Sequence, residues 1–206
     1  MRVYANTGLN AGILMKIYLM RHGATEFNRC HLFYGKTDIS LNDQGIEQAK
    51  LLAKKFERMN NNLIVYTSTL RRTIETARIV FPDKKILSLR NLDEKDFGIW
   101  EGMSADQINS AFPLEWEQWL TSPFEYTPKN AEKFSDFQRR VLTIFEILLN
   151  QKKDFAIVGH LGVLRTILME YFPEFDFWEI NVDQGNYSLI EVENGTFTFI
   201  KWNIGV

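Results

Sequence analysis

Apolar residues gather in short runs along this chain, and stretches of helical spacing separate them. Ile17 to Met20, Leu63 to Thr67 and Phe155 to Val158 are continuous, with the length and β-branched or aromatic content of strands covered on both faces. A third strand is read near Lys85 to Leu89. Between the first two runs, Ile46, Ala49, Leu52, Ala53 and Phe56 share one helical face, Glu47, Lys50 and Lys54 lie opposite, and Asn42 is the N-cap. A helix is predicted to start at Ser68 or Thr69. Ser104-Ala105-Asp106-Gln107 is a capping box for a short helix that ends before Pro113. Phe134, Phe137, Val141, Phe145 and Leu148 mark the core face of a long one. Strand and helix in alternation predict an α/β fold, a three-layer α/β/α arrangement around a mostly parallel sheet. Tyr187 to Glu193 and Phe197 to Trp202 flank Asn194-Gly195, a hairpin signal that adds an antiparallel C-terminal edge.

Domain limits follow from the same pattern. Residues 1–14 read as an N-terminal extension or tag, and 15–206 as a single domain with a lid-like insertion at about 103–135. Trp116, Trp119, Phe124 and Tyr126 fall in that insertion, which reads as irregular. Asn60 to Asn62 break the helix before the second strand.

Reactive side chains stand where the apolar runs stop. Arg21-His22-Gly23 follows the first run and Gly159-His160 closes the last, the place where α/β sheets bind ligands. Arginine offers a planar fork for an oxyanion, and imidazole serves as nucleophile or base near neutral pH. Of the three histidines, two sit at these run ends, whereas His31 lies in a polar loop and reads as incidental. Arg72 opens the helix after the second strand, where backbone N–H groups favour an anion. After the third comes Leu92 to Gly102, carboxylates punctuated by Phe97, Gly98, Trp100 and Gly102.

Composition narrows the possibilities. Hydrophobic content of 45% with 24% charged residues suits a globular chain, and a formal charge of −2 gives no global attraction to nucleic acid or anionic lipid. The single cysteine, Cys30, excludes an internal disulfide and a cysteine-rich metal site, and fits a reducing cytoplasm. Met1 to Leu14 carries no basic region followed by a sustained apolar core, so neither an export signal nor a membrane anchor is expected there.

Four segments together resemble the histidine phosphatase superfamily, the phosphoglycerate mutase-like proteins. Arg21-His22-Gly23 with Thr25 and Asn28 matches its Arg-His-Gly signature. Gly35, Asp38, Leu41, Gly45, Gln48 and Ala49 match the continuation, and Ser68 to Ala77 a second motif in which Thr73 replaces the usual alanine. Leu92 to Gly102 resembles a third, and Val158 to Arg165 a fourth in which Leu161 replaces the common glycine. The resemblance implies a phosphomonoester hydrolase with no cofactor or metal, acting on a small-molecule phosphate ester. His22 would form a phosphohistidine, His160 would help hold the phosphoryl oxygens, and Glu94 would be the general acid. Arg21, Asn28, Arg72 and the Gly162 N–H would bind phosphate, and Glu101 would be structural. Tyr34 to Asp38 and Asn130-Ala131-Glu132 are most similar to the α-ribazole phosphatase branch, although Ala131 and Lys133 stand where that branch has glycines. A broad-specificity sugar-phosphate or nucleotide phosphatase, a mutase and an inactive phospholigand-binding domain are the alternatives.

Overall fold

The computed structural model describes residues 14–57 and 63–205. Most of the N-terminal extension and the helix-breaking Asn60 to Asn62 lie outside the described residues. Leu14 opens the first strand.

Six strands form one sheet. In chain order they are β1 (Leu14–Arg21), β2 (Ile64–Thr67), β3 (Ile86–Ser88), β4 (Phe155–Gly159), β5 (Tyr187–Glu193) and β6 (Thr196–Ile204), and their spatial order is β3-β2-β4-β1-β5-β6. β1, β2, β3 and β4 run parallel, while β5 and β6 add an antiparallel edge. Both faces are covered, which is why the strands read as continuous apolar runs rather than alternating ones. Ile17 and Leu19 of β1 join Phe155 and Ile157 of β4 in a core shared with two helices, α6 (Phe134–Leu149) and α7 (Leu161–Tyr171). Met20, Ala156 and Val158 point to the other face, against α2 (Asp43–Phe56) and α3 (Arg71–Val80). The period of two thus sorts neighbouring residues to opposite layers.

Capping explains the element boundaries. Asn42 accepts the Gly45 N–H and starts α2, and Ser104 with Gln107 forms the reciprocal box that starts α4 (Ala105–Ala111). A four-residue turn, α1 (Glu26–Arg29), begins at Thr25. Two expectations need correction. α3 starts at Arg71, not at Ser68 or Thr69, because both side chains are engaged elsewhere: Thr69 with Asp93 and Ser68 with His160. Trp116 and Trp119 lie on a regular helix, α5 (Pro113–Thr121), which Pro113 initiates from the first turn, where proline loses no hydrogen bond.

Candidate active site

Strand register brings the two histidines together. Arg21 of β1 lies opposite Gly159 of β4, so the carboxyl ends of the two strands are level, and the His22 N–H donates to the Gly159 carbonyl at 3.0 Å. The imidazole centres of His22 and His160 are 5.3 Å apart. Gly23 makes the turn after β1, and its N–H donates to Thr76 on α3 at 3.0 Å. A Cβ there would come within 2.4 Å of the Gly45 carbonyl oxygen, so the close passage of the two backbones requires glycine.

Each ring has a defined tautomer. His22 Nδ1 is 2.7 Å from the Gly23 carbonyl, which can only accept, so Nδ1 carries the proton and Nε2 a lone pair. Burial, then Arg72 and Arg21, hold the His22 pKa well below the ordinary imidazole value. His160 is reversed. Arg72 Nε donates to its Nδ1 at 3.2 Å, which leaves the Nε2 proton for Ser68 Oγ at 2.8 Å. Ser68 in turn meets Thr73 Oγ1 at 2.7 Å, and Thr73 donates to the Leu70 carbonyl at 2.9 Å. Burial, then Arg72, His22 and the other nearby cations, also push the His160 pKa well down. Both rings are therefore neutral at pH 7.

Cations converge on the same space. Arg72 is 1% exposed, with Nη1 and Nη2 on the Thr37 and Gly35 carbonyls at 2.8 and 2.7 Å and its guanidinium over the Tyr34 ring. Arg21 holds the Val182 carbonyl through Nη1, while its Nε is buried without a partner. A buried guanidinium donor beside a pocket suits an oxyanion. Asn28 Oδ1 receives the Thr25 N–H and the Thr25 and Tyr34 hydroxyls, which leaves its amide N–H2 groups to donate. Leu161 opens α7 with an ordinary negative φ, so replacing the usual glycine costs no strain.

Glu94 faces these groups from a loop. Its carboxylate accepts the Lys95 N–H at 2.9 Å and the Gly162 N–H at 3.0 Å. The Gly162 N–H, expected on the phosphate, is thus committed to Glu94. Arg140 on α6 fixes the loop through the Asp93 and Glu94 carbonyls and a bidentate pair with Glu132. Arg21, His22, Asn28, Arg72, Glu94 and His160 line one cavity of about 340 Å³. His31, read as incidental, also reaches its wall.

A second cavity of about 260 Å³ adjoins the first, sharing Phe33, Glu94, Phe97 and Leu161 with it. Trp119, Phe124, Phe134 and Trp178 make it aromatic. Trp116 lies outside this lining, stacked on Trp119 with ring centres 5.1 Å apart. Sequence reasoning gave no site role to Ser68, Tyr34, Lys95 or Arg165, each of which touches this machinery. The alternation of short apolar runs carries no information about loop side chains; only the run end before Ser68 hinted at one of them.

An α/β sheet whose strand ends gather two neutral imidazoles, two arginines and a carboxylate has the groups that binding a phosphate ester requires, and the sequence from 17 to 205 matches the model of the histidine phosphatase superfamily (branch 1). The chain belongs to that superfamily. It is 30% identical to the adenosylcobalamin/α-ribazole phosphatase of Salmonella typhimurium over 89% of this chain and 94% of the relative. It is 26% identical to phosphoserine phosphatase 1 of Hydrogenobacter thermophilus, over 93% of each. The α-ribazole phosphatase of Shigella flexneri superposes with a TM-score of 0.85 at 28% identity, covering 93% of this chain and 99% of that one.

Proposed function

We propose that the chain hydrolyses phosphomonoesters through a phosphohistidine at His22 Nε2. The observation that carries this is the His22 Nδ1–Gly23 carbonyl bond, which fixes a lone pair on Nε2 beside buried guanidinium groups. Nε2 attacks phosphorus, the bond from phosphorus to the ester oxygen breaks, and Glu94, as general acid, gives a proton to that oxygen. Glu94 then takes a proton from water as the water oxygen attacks phosphorus. The P–N bond breaks and inorganic phosphate leaves, with the Glu94 proton restored. Arg21 and Arg72 stabilise the equatorial oxygens, with Asn28 as a neutral donor. His160, whose Nδ1 accepts from Arg72 and whose Nε2 proton serves Ser68, holds the Arg72 guanidinium in place beside them. The surrounding cations oppose a metal ion, and among the described residues no three His, Cys, Asp or Glu side chains gather to hold one.

The aromatic cavity is the leaving-group site, and the 103–135 insertion that supplies Trp119 and Phe124 is its lid. A flat ring stacks well in such a wall, which favours α-ribazole phosphate, in keeping with the names of two relatives. One feature of the cavity, a buried ammonium, favours instead an ester whose leaving group is charged. Turnover of p-nitrophenyl phosphate, and its loss by about 10³-fold or more in His22→Ala, tests the mechanism. An acid-labile phosphoryl group on the peptide containing His22 is the expected intermediate, and activity persists after chelation. Phosphorus bonded elsewhere would overturn this reading.

A further inference from the structure

Lys95 is not used by the chemistry above. It is 7% exposed and lines the aromatic cavity, with Nζ 4.8 Å from the centre of the Phe97 ring. Among the described residues the ammonium makes one hydrogen bond, and it is long, 3.5 Å to the Asp96 carbonyl. An ammonium has three donors, and burying one without an anion is costly. The four carboxylates that favour its charge, Glu132 first, are all engaged by other groups. Glu132 holds Arg140 at 2.7 and 2.8 Å, and Asp96 pairs with Lys36 at 2.7 Å. Glu101 accepts backbone N–H groups of Gly35 and Phe97, and Glu94 those of Lys95 itself and Gly162. None forms an ion pair with Lys95 among the described residues. Arg165, the other cation in this wall, is turned onto the Ile180 and Trp178 carbonyls and stacked over Phe177 and Trp178, again without a carboxylate partner. Of the residues that line the cavity, Lys95 and Arg165 are therefore two cations beside the one carboxylate of Glu94, within an apolar wall.

We infer that Lys95 is a specificity residue that binds a carboxylate on the leaving group of the ester, whose flat apolar part lies between Phe97 and Trp119. The inference rests on the phosphatase reading and narrows it. Neutral leaving groups, α-ribazole included, fill the aromatic wall but leave the ammonium unpaired. A carboxylate-bearing leaving group completes both. Because that anion displaces solvent from an already buried cation, its contribution exceeds that of a surface pair.

Phenyl phosphate and p-carboxyphenyl phosphate differ only in the group at issue. Their binding to His22→Ala, measured by calorimetry, reads affinity without turnover. The carboxylate is expected to tighten binding roughly 10- to 100-fold, and the gain is expected to vanish in His22→Ala/Lys95→Met and to persist in His22→Ala/Lys95→Arg. Lys95→Gln substitutes for the methionine variant if the latter fails to fold. Equal affinities in His22→Ala, a gain that survives Lys95→Met, or no binding of either ester each overturns the inference. Failure of the phosphatase reading shows separately, as absence of phenyl phosphate hydrolysis by the unsubstituted chain.

Discussion

At the scale of single residues, two positions decide how Glu94 and its surroundings work. Gly162 stands in the second position of α7, and a Cβ built on it would lie 2.4 Å from Glu94 Oε1. Gly162→Ala must move the carboxylate. A displacement of the order of an ångström costs about 10²-fold in rate, so kcat is expected to fall by about that factor with the melting temperature little changed. Steady-state kinetics beside a thermal melt check it. Lys95 carries the opposite balance. Burial lowers its pKa despite Glu132, Glu94, Asp96 and Glu101, so the folded protein disfavours the charge it keeps. Lys95→Met removes that penalty, and a gain of about 1 kcal/mol or more in unfolding free energy is expected. Urea midpoints measure it, and a loss would mean that the ammonium is paired after all.

At the scale of elements, the 35–37 loop is the part most exposed to failure. Glu101 accepts the N–H groups of Gly35, Lys36, Thr37 and Phe97, together with the Thr37 hydroxyl. The carbonyls of Gly35 and Thr37 on that loop then hold Arg72. One carboxylate therefore positions the Arg72 guanidinium without touching it, matching the structural role read for Glu101 from the family pattern. Glu101→Ala leaves several half-buried donors unpaired and is expected to cost about 2–4 kcal/mol. KM for a phosphate ester should rise as well, because Arg72 loses its anchor. A denaturant titration and a KM determination test the two effects. Elements were otherwise legible where the signal is local: Asn42 and the Ser104–Gln107 box start their helices as read. α5 was missed because it is only nine residues long and its aromatic face packs on Phe33 and Trp100 rather than on the main core.

At the scale of the whole molecule, the buried imidazoles make stability depend on pH. Both have folded pKa values below the unfolded value of about 6.5. The unfolded chain then binds more protons than the folded one once the pH drops below about 6.5. Stability is fully present above that value and is lost as pH falls toward the folded pKa values, at up to about 1.4 kcal/mol per pH unit for each ring. Urea midpoints from pH 7.5 down to 5 are expected to fall, and His22→Ala is expected to flatten the slope.

The sequence by itself determined which residue types close the apolar runs, the alternation of strand and helix, and the antiparallel hairpin at the C-terminal edge. Those follow from periods of 2 and 3.6 residues and from capping, which are properties of neighbours in the chain. Only the tertiary structure decided that β4 inserts between β2 and β1. That order places Gly159 beside Arg21, and so His160 beside His22, 138 positions later in the chain. It also decided each ring's tautomer, the commitment of the Gly162 N–H to Glu94, and the burial of Lys95 against Phe97. These depend on which strands exchange backbone hydrogen bonds and which loops then meet at their ends, and no period along the chain encodes such distant pairings.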